Sequence, residues 1–125
     1  MKTLVTSPAA PNAVGPYSPA VREGNWIFCS GQIGLDPASG EMVGGGVVAE
    51  AERVLDNLRA VLAAAGASLD NVVRTTIYLT DLGDFARVNE VYAKYFTAPF
   101  PARATVGVSA LPRAAKVEID AIAVL

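Results

Sequence analysis

Arg103 is the only charged side chain between Phe100 and Ser109, and its neighbours are small. Pro101 fixes its own φ and pushes the residue before it into extended backbone. The alternation that follows predicts a strand. Ala104, Val106 and Val108 take one face; Arg103, Thr105, Gly107 and Ser109 take the other. A guanidinium left alone inside a fold costs several kcal/mol, so Arg103 needs a partner. That partner is either an internal carboxylate or one that arrives and leaves. The second case is a binding site, and arginine suits it because its planar fork grips a carboxylate through two parallel hydrogen bonds.

The rest of the composition narrows the chemistry. There is no histidine, which removes Ser-His and Cys-His pairs, histidine metal sites and imidazole acid–base work. A single cysteine excludes an intrachain disulfide and a CxxC motif. What remains are carboxylates, hydroxyls, Arg, Lys, backbone groups and water. The net charge of −2, with no basic run, argues against a nucleic-acid partner, which needs phosphate neutralisation.

A chain of 125 residues is expected to form one domain, residues 1–125, burying roughly two-thirds of its unfolded surface. Its hydrophobic content of 52%, without a long apolar run, hints at surface buried between subunits. No stretch approaches the roughly 20 apolar residues of a membrane span. The start, Met1-Lys2-Thr3-Leu4-Val5-Thr6, lacks the apolar region of a signal peptide, so a cytoplasmic location is expected.

The elements that must position Arg103 follow from periodicity. Residues 2–6 read as a short strand. Residues 7–19, rich in Pro, Ala and Ser, read as a loop stiffened by proline. Tyr17 in that loop is either its anchor or a pocket wall. Residues 20–23 and 26–33 predict a hairpin around Gly24-Asn25. In its second strand Ile27, Cys29, Gly31 and Ile33 would share one face, and Trp26, Phe28, Ser30 and Gln32 the other. Cys29 is then a buried structural cysteine, not a nucleophile. Asp36-Pro37-Ala38-Ser39-Gly40 predicts a turn. Gly44-Gly45-Gly46 lacks the ending of a phosphate loop and reads as a hinge.

Residues 47–65 predict a helix with Val47, Ala51, Val54, Leu55, Leu58, Val61, Leu62 and Ala65 on one stripe, ended by Gly66. Glu50, Glu52, Arg53, Asp56 and Arg59 would form a solvated face. Residues 72–80 predict a strand, with Val73, Thr75, Ile77 and Leu79 opposed to Val72, Arg74, Thr76, Tyr78 and Thr80. Asp81 or Asp84 would cap a second helix ending near Phe96, on which Phe85 and Asn89 are neighbours. In the last strand, 116–124, Val117, Ile119, Ala121 and Ala123 face one way and Glu118, Asp120, Ile122 and Val124 the other.

Two helices can cover one face of such a sheet. The other face would carry Trp26, Phe28, Thr76, Tyr78, Arg103 and Thr105. That set is too aromatic to leave wet and too polar for a monomer core. Burial between copies of the same chain is the economical solution, and it would place Arg103 at a dry interface.

Several segments are familiar: Gly15-Pro16-Tyr17-Ser18, Ser30-Gly31-Gln32-Ile33-Gly34, Leu55-Asp56-Asn57-Leu58, Thr80-Asp81-Leu82-Gly83-Asp84-Phe85, Val88-Asn89-Glu90-Val91-Tyr92, Pro101-Ala102-Arg103 and Val117-Glu118-Ile119-Asp120-Ala121. Together, in this order and over essentially the whole chain, they resemble the RidA (YjgF) reactive intermediate deaminase family. The resemblance implies an α+β, chorismate-mutase-like fold with a mixed sheet and two helices on one face. It implies a homotrimer with a site in each cleft between subunits. The implied reaction is hydrolysis of 2-enamine and 2-imine acids, such as 2-aminoacrylate, to 2-oxo acids and ammonia, without cofactor or metal.

Carried over by that resemblance, Arg103 would hold the substrate carboxylate and Glu118 would position the attacking water. Tyr17, Ser30, Gly31, Phe85, Asn89 and Thr105 would line the pocket. Many members carry Cys where this chain has Thr105, and Gln where it has Glu50. The loop at Thr97-Ala98-Pro99 is short. Two rival readings stand beside the deaminase: a non-catalytic trimer that binds small carboxylates, and an RNA-cleaving protein, which the acidic balance and missing histidine disfavour. Glu118 discriminates the first, since a binder needs only Arg103, unless Glu118 is a structural partner of Arg103 or Arg113.

Overall fold

The computed structural model describes residues 1–125. Its strands are β1 (Thr3–Val5), β2 (Ala20–Glu23), β3 (Trp26–Gln32), β4 (Val72–Leu79), β5 (Ala102–Gly107) and β6 (Val117–Val124). Helix α1 (Val47–Ala64) joins β3 to β4, and α2 (Phe85–Tyr95) joins β4 to β5. The strands form one six-stranded sheet in the order β1-β2-β3-β6-β4-β5. All neighbours are antiparallel except β4 and β5. A parallel pair cannot be joined by a tight turn, and α2 supplies the crossover.

This is the expected α+β class. Helix α1 packs on β3, β6 and α2. The core lies between helices and sheet, where Ile27, Leu55, Leu58, Leu62, Ile77, Leu79, Val117 and Ile119 are fully buried. Strand β6 alternates as its sequence demands, with Val117, Ile119, Ala121 and Ala123 buried and the residues between them half-buried. Gly66 ends α1 at φ 79°, the left-handed conformation that glycine adopts without penalty. The opposite sheet face has no helix. There Trp26 and Phe28 stack at 6.2 Å while remaining 50% and 43% exposed. No helix is long and apolar enough to cross a membrane.

Four expectations about which way side chains point are corrected. In β3 the register slips between Cys29 and Gln32, so three steps along β3 match two along β6. The bulge flips the alternation: Gly31 is exposed and Gln32 buried. In β4 a slip at Val72–Arg74 buries Val72 and exposes Val73. In β5 the expected alternation holds but the faces are exchanged. Arg103 pairs with Thr75 and Thr105 with Ile77, so both lie on the helix side, while Val106 pairs with Tyr78 on the open side. The apolar set, with Val106, thus faces the open side and the polar set faces the helices, the reverse of what hydrophobicity alone would choose.

The fourth correction is Glu50, which is 5% exposed instead of solvated. Its Oε1 accepts the Lys116 N–H at 2.8 Å, tying α1 to the start of β6. Asn57, two turns further along the same face of α1, is also buried and donates to the carbonyl of Leu35 at 2.9 Å. Of the two candidate caps, Asp81 is the one that accepts a backbone N–H, from Gly83 at 2.8 Å in a short 3-10 turn. Asp84 instead pairs with Arg87.

Candidate functional site

Arg103 leans from β5 onto α2. Its Cζ lies 4.8 Å from the ring centroid of Tyr92 and 5.5 Å from that of Phe85. Both fall within the roughly 6 Å range at which an aromatic face attracts a cation. None of the chain's four ion pairs includes Arg103. The internal-carboxylate alternative therefore does not hold within the chain. Arg103 instead lines a cleft of about 450 Å³ with Asn89, Tyr92, Ala93, Phe100 and Pro101, none of them acidic. Thr105 lies on the same face of β5, two residues along, but does not line this cleft.

Glu118 belongs to a second cleft, of about 310 Å³, whose walls include Tyr17, Gly31, Ile33 and Arg113. The carboxylate rests against Gly31, where a Cβ would come within 2.4 Å of Oε2. Burial pushes the Glu118 carboxyl above its usual range, and the neighbouring Asp120 charge pushes it further. Asp120 is itself held, accepting the Thr76 N–H at 3.2 Å and the Tyr78 hydroxyl at 3.1 Å. No ion pair joins Glu118 to Arg103 or Arg113. Arg113, at φ 57°, reaches Glu41 instead at 3.5 Å.

The loop before β2 brings Tyr17 to this cleft. Ser30 donates its hydroxyl to the Ser18 carbonyl at 2.6 Å, and its N–H to the Pro19 carbonyl at 2.9 Å. Both polar groups of Ser30 are thus engaged in anchoring the loop, and Ser30 does not line the cleft. Tyr17, 54% exposed, does line it, which favours the pocket-wall reading over the anchor. Cys29 is buried and its thiol is pushed up to about 12, so it stays protonated and inert.

With this geometry in view, comparison with known proteins places the chain. A family model described as endoribonuclease L-PSP matches residues 7–125. Protein DfrA of Myxococcus xanthus is 67% identical over 125 residues, covering 98% of this chain and 95% of its own. The 2-iminobutanoate/2-iminopropanoate deaminase of Mus musculus is 52% identical over 124 residues, covering 99% of this chain and 92% of its own. The crystal structure of RidA from the Antarctic bacterium Psychrobacter sp. PAMC 21119 matches with a TM-score of 0.95 at 46% identity, over 98% of this chain and 99% of that one. The chain belongs to the RidA (YjgF) family.

This RidA chain brings the named residues together in two groups, not one. Asn89 and Phe85 accompany Arg103 on the helix side. Tyr17 and Gly31 accompany Glu118, whose register partner Tyr78 lies on the open side. Two residues escaped the sequence reading as site members. Tyr92 follows Asn89 by three and Phe85 by seven, a helical spacing that places all three on one side of α2. Asp120 follows Glu118 by two on a strand and so shares its face.

Proposed function

We propose that the chain is a cofactor-free deaminase that hydrolyses 2-enamine and 2-imine acids to 2-oxo acids and ammonia. It acts as a homotrimer in which the Arg103 cleft of one copy meets the Glu118 cleft of its neighbour. One observation carries this reading: a guanidinium and a desolvated carboxylate, each without an ion-pair partner, sit in separate open clefts of the same chain. Bringing two copies together joins the half-sites and covers Trp26 and Phe28 in the same step. The named deaminase relative at 52% identity supports the same reaction.

The chemistry follows from the two groups. Arg103 holds the substrate carboxylate by two N–H donors and so fixes the imine carbon. Glu118 accepts a proton from water as the water oxygen bonds to that carbon, and the imine nitrogen takes up a proton from solvent. The tetrahedral adduct then loses ammonia: Glu118 returns its proton to the departing nitrogen, the hydroxyl gives its own back to solvent, and the C=O forms. Water is consumed and ammonia released, with no redox change. A carboxyl pushed upward by burial suits a group that must take and return one proton. Such assistance is typically worth about 10²–10⁴-fold. Tyr17 walls the pocket, while Phe85 and Asn89 shape the Arg103 side. Ser30 acts through the loop, because its hydroxyl and N–H are already engaged.

The test generates imines in situ with an amino-acid oxidase and follows ammonia release against semicarbazide trapping, for the wild type and Arg103→Ala. Faster hydrolysis by wild type alone is expected. Equal rates for the two proteins, both trimeric, would overturn the assignment. Retained binding of 2-oxo acids without turnover would establish the carboxylate-binding trimer in its place.

A further inference from the structure

The carboxylate-anchor reading of Arg103 leaves open what aims its guanidinium. Arg103 sits on β5, the edge strand of the sheet. An arginine in such a place has several rotatable bonds, and ordering it at the moment of binding weakens the ligand's grip. The structure holds it by a closed loop of contacts. Thr75 on β4 is the register partner of Arg103. Thr75 is fully buried, and its hydroxyl lies 2.8 Å from the Tyr92 hydroxyl. The Tyr92 ring in turn lies 4.8 Å from the Arg103 Cζ. Phe96 stacks on Tyr92 at 4.4 Å, so the ring is fixed at its tip and against its plane.

We propose that Tyr92, locked by Thr75, is a positioning residue that aims Arg103 at the incoming carboxylate; this deepens, and rests on, the reading of Arg103 as the substrate anchor. The geometry suits the task. An aromatic ring engages the flat face of a guanidinium, whereas a carboxylate is gripped at its edge. The two interactions do not compete, so Tyr92 orders the fork without occupying it. A carboxylate partner in the same place would pair with the N–H groups that the substrate needs. Burial pushes the Tyr92 phenol upward, so the ring is a neutral platform at physiological pH and not a counter-ion. Phe85, 36% exposed at the start of α2, adds a second ring nearer the solvent.

Three variants separate the parts. Thr75→Val removes the hydroxyl that fixes Tyr92 and keeps a similar shape. Tyr92→Phe keeps the ring and removes its anchor. Tyr92→Leu removes the ring. The readouts are KM and kcat with the oxidase-generated imine, the Kd of 2-oxobutanoate by calorimetry, and the NMR signal of the Arg103 Nε–H in the protein without ligand.

Tyr92→Leu is expected to raise KM and Kd about 3- to 30-fold, the range spanned by exposed and desolvated cation–π contacts, with kcat changed far less. Thr75→Val and Tyr92→Phe should raise both by a smaller factor. The Arg103 Nε–H signal should move in Thr75→Val and Tyr92→Phe, which keep the ring and release its anchor. An unchanged Arg103 signal, or variants that lower Tm while leaving KM and Kd at wild-type values, would reduce Tyr92 to a packing residue. The NMR arm needs no substrate, so it decides the positioning claim even if Arg103→Ala retains full deaminase activity and the anchor reading falls.

Discussion

Glu118 and Gly31 are in contact so close that residue 31 has room for a hydrogen atom only. A Cβ there would meet Cδ of Glu118 at 2.8 Å and Cγ at 3.0 Å. The bulge in β3 creates this arrangement by turning Gly31 to the exposed side, where β6 presents Glu118. Gly31 thus sets the height of the carboxylate above the sheet.

Gly31→Ala is therefore expected to move the carboxylate without touching Arg103. A displacement on the scale of 1 Å costs about 100-fold in turnover, because the water must sit in line with the reacting carbon. Binding of 2-oxobutanoate should change little, and the protein should remain folded, since Gly31 is exposed in the isolated chain. Steady-state kinetics beside calorimetry checks this. Equal loss of binding and turnover would place Gly31 at the carboxylate end of the substrate instead.

Glu118 also predicts a pH signature. Its carboxyl is raised first by burial and second by Asp120. In the proposed mechanism the active form accepts a proton, so the acid limb of kcat is expected to fall as pH drops through the raised value. Asp120→Asn removes the neighbouring negative charge and should shift that limb to lower pH. The stability effect has the opposite sense. A carboxyl raised in the folded state favours the protonated protein, so its contribution is complete below the unfolded value and is lost as pH rises through the folded one. Glu118→Gln should accordingly raise Tm at neutral pH and leave it unchanged in acid below both values. An acid limb that stays in place in Asp120→Asn would separate Asp120 from the proton transfer.

How far the sequence carried depended on where side-chain contrast was strong. In the first half of β6 Val117 and Ile119 oppose Glu118 and Asp120, so the faces are legible there and Glu118 falls on the expected side. Helix α1 was legible from its stripe, and Gly66 marked its end. The errors fall where contrast is weak or the ladder is irregular. A bulge adds one residue and inverts everything beyond it, which no alternation within one strand reveals; this misplaced Gly31, Gln32 and Val73. Strand β5 turns its apolar residues Ala104 and Val106 away from the helices, against its hydrophobic contrast, so only its parallel pairing with β4 decides that Arg103 faces α2. Glu50 departs from the rule that a charged helix residue faces water, because the Lys116 N–H, just before β6 and far along the chain, satisfies it here.

That last contact yields a stability prediction. Glu50 accepts the Lys116 N–H two residues before Glu118, so it holds the start of β6 in place. Glu50→Ala would leave the part-buried Lys116 N–H without its partner, a loss of about 1 kcal/mol. Glu50→Gln keeps a carbonyl acceptor and should lose much less. Urea unfolding of the two variants distinguishes them. Equal destabilisation would mean that the charge, not the acceptor, is what the site requires.

The strongest prediction concerns the division of the site between copies. Arg103 and Glu118 lie on opposite sides of the sheet, in clefts that share no lining residue. If each site draws Arg103 from one copy and Glu118 from the next, two inactive variants carry complementary halves. Arg103→Ala retains Glu118, and Glu118→Gln retains Arg103. Unfolding and refolding the two together at equal concentration should place an intact Arg103 beside an intact Glu118 at about one quarter of the interfaces of a cyclic assembly. Activity should rise to about that fraction of wild type, while each variant refolded alone stays inactive. The fraction does not depend on the number of subunits in the ring, so it tests the sharing and not the count. A mixture no more active than its components would mean that each site is built within one copy, which the two separate clefts do not support.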